Sequence, residues 1–119
     1  MTRRVVAIVD DMFFASKIRA TAEALGVEIA FPRTRESALE KITQSAPQLI
    51  VIDLQNQRLD AVEFAKELKG RSDTQSVPLI GFFSHVEVEL QRKATSARFD
   101  QVVPRSVFAR DLASILRGS

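Results

Sequence analysis

Polar residues stand where the apolar runs of this chain stop. Asp10 and Asp11 follow Val5-Val6-Ala7-Ile8-Val9, and Asp53 follows Leu49-Ile50-Val51-Ile52. Ser84 follows a run ending at Phe83, and Arg105 comes shortly after Val102-Val103. If those runs are strands of one open parallel sheet, all five residues fall on its carboxyl edge, where such sheets bind ligands. Three carboxylates sharing a small crevice repel one another. A hard cation such as Mg2+ relieves that repulsion, because it prefers a few carboxylates plus water. Asp53 is then a candidate nucleophile toward a phosphoryl group, with the metal and nearby donors stabilising the transferring oxygens.

The elements that must position these residues alternate. The run Val5 to Val9 is rich in β-branched residues and reads as a strand buried on both faces. Phe14, Ile18, Ala22 and Leu25 recur at helical spacing, and Gly26 stops that helix. Val27 to Phe31 is a second strand, interrupted by Glu28. Thr34 is placed to cap a helix with Ala38, Leu39 and Ile42 on its inner face, and Pro47 follows as a breaker. Leu49 to Ile52 is the clearest strand. Asp60 and Glu63 have the spacing of a helix start, with Ala61, Phe64, Ala65 and Leu68 inward and Gly70 as the stop. Val77 to Phe83 is a fourth strand. Val86, Leu90, Ala94 and Ala97 mark a fourth helix, and Val102-Val103 a fifth strand. Ser106 is expected to cap a last helix carrying Phe108, Leu112, Ile115 and Leu116. Strands alternating with helices imply βαβ units, a parallel five-stranded sheet and a three-layer α/β sandwich. Residues 1–119 read as one domain, without repeats or an interdomain linker.

Composition narrows the chemistry. The chain of 119 residues has no cysteine, which removes thiol catalysis, thiolate metal sites and disulfides. It contains no apolar run near the roughly 20 residues that span a bilayer, and the first apolar run is too short and too acidic for a signal peptide. A cytoplasmic protein is expected. The sequence pI of about 9.4 overstates a net charge of only +2. With no Tyr and no Cys, little titrates between neutrality and the lysines, so a small excess moves the pI far. The excess lies in the last third, where Arg92, Lys93, Arg98, Arg105, Arg110 and Arg117 outnumber Glu87, Glu89, Asp100 and Asp111. This is a slightly positive face, not a nucleic-acid footprint. None of Gly26, Gly70, Gly81 and Gly118 lies between the first strand and first helix, which excludes a dinucleotide-binding turn. No P-loop pattern occurs. A haloacid-dehalogenase-like phosphatase needs an aspartate two residues after its nucleophile, and Gln55 stands there.

Several of these residues also have plainer readings. Asp10 and Asp11 could cap the first helix, and adding Asp53 favours a metal pocket. Asp53 could be a simple strand-end residue. Ser84 suits a helix cap as well as a functional hydroxyl. His85, the only histidine, reads as a surface or capping residue, at most a gate. Arg105 could be solvated or could clamp a phosphate. Phe13, Phe14, Phe82 and Phe83 read as core.

The segments Ile8-Val9-Asp10-Asp11, Val51-Ile52-Asp53-Leu54, Leu59 to Phe64 and Phe83-Ser84 together resemble the motifs of bacterial response-regulator receiver domains of the chemotaxis type, with a flavodoxin-like fold. The resemblance covers nearly the whole chain, in the expected order. It implies strand order 2-1-3-4-5 and aspartyl phosphorylation by a histidine kinase or phosphotransfer protein, with Mg2+ or Mn2+. By position, Asp53 resembles the phosphoacceptor, and Asp10 and Asp11 the metal-binding acids. Gln55 matches the position that offers a main-chain carbonyl to the metal, and Ser84 matches the switch hydroxyl. The family's output passes to a downstream protein or a fused output domain, homodimerisation is possible, and neither enzymatic turnover, direct nucleic-acid binding nor membrane insertion is implied.

The departures are specific. The usual Lys-Pro after the fifth strand reads Pro104-Arg105, and guanidinium and ammonium are not interchangeable. The aromatic of the fifth strand falls at Gln101, the small residue after the hydroxyl is His85, and Arg98 stands where glycine precedes the fifth strand. The Met-Pro-Gly of the loop after Asp53 is replaced by Asn56-Gln57-Arg58. Two functions remain: a phospho-accepting switch with altered coupling, and a degenerate receiver serving as a phosphorylation-independent interaction module.

Overall fold

The computed structural model describes residues 3–56, 58–84 and 87–118. Its strands are β1 (Arg4–Ile8), β2 (Glu28–Ala30), β3 (Leu49–Asp53), β4 (Leu79–Phe83) and β5 (Gln101–Pro104). Its helices are α1 (Met12–Leu25), α2 (Arg35–Gln44), α3 (Ala61–Lys69), α4 (Val88–Ser96), α5 (Arg105–Arg110) and α6 (Leu112–Arg117). The strands form one parallel sheet in the order β2-β1-β3-β4-β5.

Alternation along each strand sends side chains to two faces. Val5, Ala7, Leu49, Val51 and Phe82 pack with Phe14, Ile18 and Ala22 of α1 and with Phe108, Leu112 and Leu116 of α5 and α6. Val6, Ile8, Ile50, Ile52 and Leu79 pack with α2, α3 and α4 through Ile42, Phe64, Leu68 and Ala94. Because both faces are covered, the strands read as unbroken apolar runs, and polar residues can appear only where a run ends.

Helix ends follow local chemistry. Asp11 caps α1, and Gly26 closes it in a left-handed turn at φ 69°. Thr34 and Ser37 form a reciprocal capping box on α2. Asp60 accepts the Glu63 N–H at the start of α3. At the amino end of the sheet, the Lys69 ammonium donates to the carbonyls of Gln75 and Val77 and to Asp100, whose carboxylate also accepts the Leu79 N–H. One cation thus ties α3 to the starts of β4 and β5.

The elements differ from the sequence reading in several places. β2 is three residues long and excludes Val27 and Phe31. β4 begins at Leu79, since Pro78 has no N–H to give a ladder. Ser106 does not cap the last helix. Pro104, at φ −62° and ψ 149°, is the flanking residue, so Ser106 already lies in the first turn of α5. The expected single helix is divided at Asp111, which leaves helical geometry at ψ 15°. The flanking residue of α4 is Glu87, not Ser84, while Val86 and His85 lie outside the described residues. Phe14, Phe82 and Phe83 are buried as expected, but Phe13 is 90% exposed. It sits about 100° around the helix from Phe14, off the stripe that Phe14, Ile18 and Ala22 define.

Arg98 is the one non-glycine residue among those described with positive φ, at 65°. A side chain in that region costs about 1 kcal/mol, offset in part by a 3.0 Å bond from its guanidinium to the Lys69 carbonyl. Arg98→Gly is therefore expected to raise stability by about 0.5–1 kcal/mol, read as a higher urea midpoint with unchanged slope. A lower midpoint would show that the Lys69 contact outweighs the strain.

Candidate functional site

The register places the acids on neighbouring strands. Ile8 lies beside Ile52 in the ladder, so the first residues past β1 rise next to the end of β3, where Asp53 pairs across with Phe82 of β4. Asp10, Asp11 and Asp53 are all half-buried. The sheet edge therefore gathers the three carboxylates that the sequence singled out.

Each carboxylate is compensated differently. Asp11 Oδ1 accepts the main-chain N–H groups of Phe13 and Phe14 at 2.9 and 3.1 Å, and its Oδ2 accepts a guanidinium N–H of Arg105 at 3.0 Å. Those bonds, the Phe14 N–H foremost and then Arg105, hold the Asp11 carboxyl below its ordinary range. Asp10 Oδ1 accepts the Nε–H of Arg58 at 2.6 Å. Asp53 Oδ1 accepts the Gln55 N–H at 2.9 Å, and its Oδ2 has no hydrogen-bond partner among the described residues. Burial pushes the Asp53 carboxyl above its ordinary range. The Gln55 N–H and the Arg105 charge oppose that rise, and the charges of Asp10 and Asp11 add to it.

Arg105 belongs to the site. As the first residue of α5 it pairs with Asp11, and its guanidinium carbon lies 4.1 Å from the centre of the Phe14 ring. Phe14 meets Phe82 edge-on at 5.2 Å, and Phe82 stacks on Phe108 at 4.9 Å. The cation is thus seated on an aromatic column joining α1, β4 and α5. Gln55 also reaches across the edge: its amide oxygen accepts the Ser84 N–H at 2.7 Å, and its amide nitrogen donates to Glu87 at 3.1 Å. Ser84 itself is exposed at the end of β4. Beneath this loop, Gly81 leaves room for Leu54 and Phe99. A Cβ there would stand 2.9 Å from a methyl of Leu54 and from the Phe99 ring.

Two residues escaped the sequence reading. Arg58 was noted only as a departure in its loop, yet it neutralises Asp10 from 48 positions away. Glu87 partners Gln55 across 32 positions. Arg58 had one available signal, a cation substituted into the loop beside an acidic edge. Gln57 and His85 lie outside the described residues.

The donor set is made of hard oxygens, the chemistry of Mg2+ or Mn2+. Arg58 and Arg105 already bond two of the acids, and among the described residues no three acid or imidazole side chains converge to hold an ion. A cation entering here competes with the guanidiniums.

A doubly wound sheet of this order, with acids at the carboxyl ends of β1 and β3, defines a signalling-type α/β domain. The chain belongs to the response regulator receiver domain family, whose model matches residues 5–117. Response regulator MprA of Mycobacterium tuberculosis is 22% identical over 117 residues, covering 98% of this chain and 50% of the relative. The chain therefore spans half the length of that relative. The chemotaxis response regulator CheY4 of Vibrio cholerae superposes with a TM-score of 0.84 at 16% identity, covering 99% of this chain and 98% of the other. The Mn(2+)-bound form of response regulator Rcp1 superposes with a TM-score of 0.79 at 16% identity, covering 98% and 90%. No helix among the described residues is long and apolar enough to cross a membrane.

Asp11→Ala, which removes the cap of α1 and the partner of Arg105, is expected to cost about 1 kcal/mol at neutral pH. Because the Asp11 pKa is lowered on folding, its contribution is present at neutral pH and is lost as pH falls through the folded pKa. Asp53 has the opposite sign. Its raised pKa means that ionisation weakens the fold as pH rises through the folded value. Asp53→Asn is therefore expected to leave stability unchanged or higher at neutral pH, with the difference vanishing in acid. Urea unfolding at both pH values checks this, and a marked loss for Asp53→Asn would make Asp53 a structural hub.

Proposed function

We propose that this receiver domain accepts a phosphoryl group on Asp53. The observation that carries the reading is the state of that carboxylate at the end of β3. One oxygen is fixed by the Gln55 N–H, the other accepts no hydrogen bond among the described residues, and burial raises the pKa. A carboxylate whose charge is poorly solvated is a better nucleophile than an exposed one. Asp53 Oδ2 attacks phosphorus, the O–P bond forms, and the bond to the donor's histidine nitrogen breaks. Once Arg58 and Arg105 release Asp10 and Asp11, those two acids with Asp53 and the Gln55 carbonyl would hold Mg2+ or Mn2+, which would offset the negative charge of the transferring oxygens. Arg105 and the Ser84 hydroxyl would contact the phosphoryl oxygens. The donor is a histidine kinase or phosphotransfer protein, and the output is a protein partner, a fused domain or a second copy of the chain. The setting is the cytoplasm.

A specific observation favours a second reading, in which the domain works without phosphorylation. Arg58 and Arg105 neutralise the two acids beside Asp53 as a bound cation would. Incubation with acetyl phosphate and Mg2+, followed by intact-mass measurement, separates the two. The phospho-accepting reading expects one added phosphoryl group on the wild type and none on Asp53→Asn. No addition to the wild type would leave the interaction module.

Coupling to the output face should be weak. Gln101, at the start of β5, is exposed, and Arg105 is already held by Asp11 and Phe14. A ligand shifts an equilibrium only by its differential affinity for the two states. Beryllofluoride with Mg2+ is therefore expected to move amide signals near Asp11 and Asp53 and to leave most of residues 98–110 in place. Large NMR shifts reaching Gln101 and Arg110 would show strong coupling.

A further inference from the structure

A separate cavity of about 140 Å3 opens beside Asp10, between α1, the loop after β2 and the loop after Asp53. Asp11 and Asp53 do not line it. Its charged residues are Arg19, Arg33, Arg58 and Asp10, so it carries two net positive charges. The remaining wall includes Ile8, Val9, Met12, Phe31 and Pro32.

The arginines are arranged with donors to spare. Arg33 makes no hydrogen bond or ion pair among the described residues. Arg19 lies over the Phe31 ring, its guanidinium carbon 4.7 Å from the ring centre, which holds it without using its N–H groups. Arg58 gives only its Nε–H to Asp10, so its terminal nitrogens remain for another acceptor. The Asn56 amide oxygen is taken by the N–H groups of Arg58 and Leu59, which fixes the loop that carries Arg58.

We propose that this cavity binds a phosphate dianion, as inorganic phosphate or as the phosphate of a small monoester. Planar guanidinium forks match tetrahedral phosphate oxygens bidentately, and two net positive charges match a dianion. The apolar wall around Phe31 and Met12 accepts the carbon portion of an ester. The volume holds a handful of waters or one such oxyanion. This site is independent of phosphoryl transfer to Asp53.

Amide NMR titration of the metal-free protein with inorganic phosphate, and separately with phenyl phosphate, tests the proposal. Saturable shifts at millimolar ligand are expected, centred on Val9 to Arg19, Phe31 to Arg33 and Asn56 to Arg58, with phenyl phosphate binding at least as tightly. Arg33→Ala should weaken binding roughly tenfold, and Asp53→Asn should not change it. Shifts reproduced by sodium chloride at equal ionic strength, or unaltered by Arg33→Ala, would overturn the site. Tighter binding in Asp53→Asn, which removes one negative charge, would assign the anion to the aspartate edge instead. Because no phosphoryl donor or metal is used, failure here leaves phosphorylation of Asp53 untouched, and failure of that labelling leaves this site untouched.

Discussion

Three carboxylates brought to one sheet edge repel one another unless positive charge is held beside them, and here two guanidiniums hold it. Arg105 reaches Asp11 from the start of α5, and Arg58 reaches Asp10 from the loop after β3. Much of the local architecture serves these pairs. Asp11 must cap α1 and meet Arg105 at once, which fixes the first turn of α1 against α5. Arg105 in turn rests on Phe14, at the head of the aromatic column through Phe82 and Phe108. Asp53 alone has no ion-pair partner among the described residues, and it is the carboxyl whose ionisation burial disfavours.

This division of labour follows from where the chain can place polar groups. The strands are covered on both faces, so a charge within β1 or β3 would be buried without a partner. The carboxyl edge carries the three clustered acids, while the amino edge carries a structural clamp in which Lys69 gathers two carbonyls and Asp100. The two ends of one sheet thus use the same kind of ion pair for different purposes. Lys69 is nearly buried, with 10% of its side chain exposed, and is committed to its partners. Arg58 is half in solvent and can exchange partners.

The fold was legible because its signals are local and repeated. Continuous β-branched runs, helical stripes such as Phe14, Ile18 and Ala22, and stops such as Gly26 each report on a few neighbouring residues. The acidic edge was legible for the same reason, since the acids stand where the apolar runs of β1 and β3 end. Arg98 was legible in part: it replaces a glycine of the family pattern, and it does occupy the left-handed region. Residues whose roles depend on long-range geometry were not legible. The pairing of Arg58 with Asp10 depends on the path of a loop that the sequence only marks as divergent. Ser106 has the residue type of a cap, but the strand runs through Pro104 directly into helix two residues earlier than a cap at Ser106 would require. Phe13 was misplaced through residue type alone, where the helical period already pointed it outward.

Gly81 lies in the middle of β4, three residues before Ser84, yet it sets how closely Leu54 can settle onto the sheet. Leu54 is bonded directly to Asp53, so the seat of that carboxylate rests on a missing methyl group in the neighbouring strand. A larger residue at 81 would lift Leu54 and tilt the loop that carries the Gln55 N–H, altering the aim of the carboxylate without replacing any acid or arginine. The geometry of this edge can therefore be retuned from inside the hydrophobic layer, by volume alone.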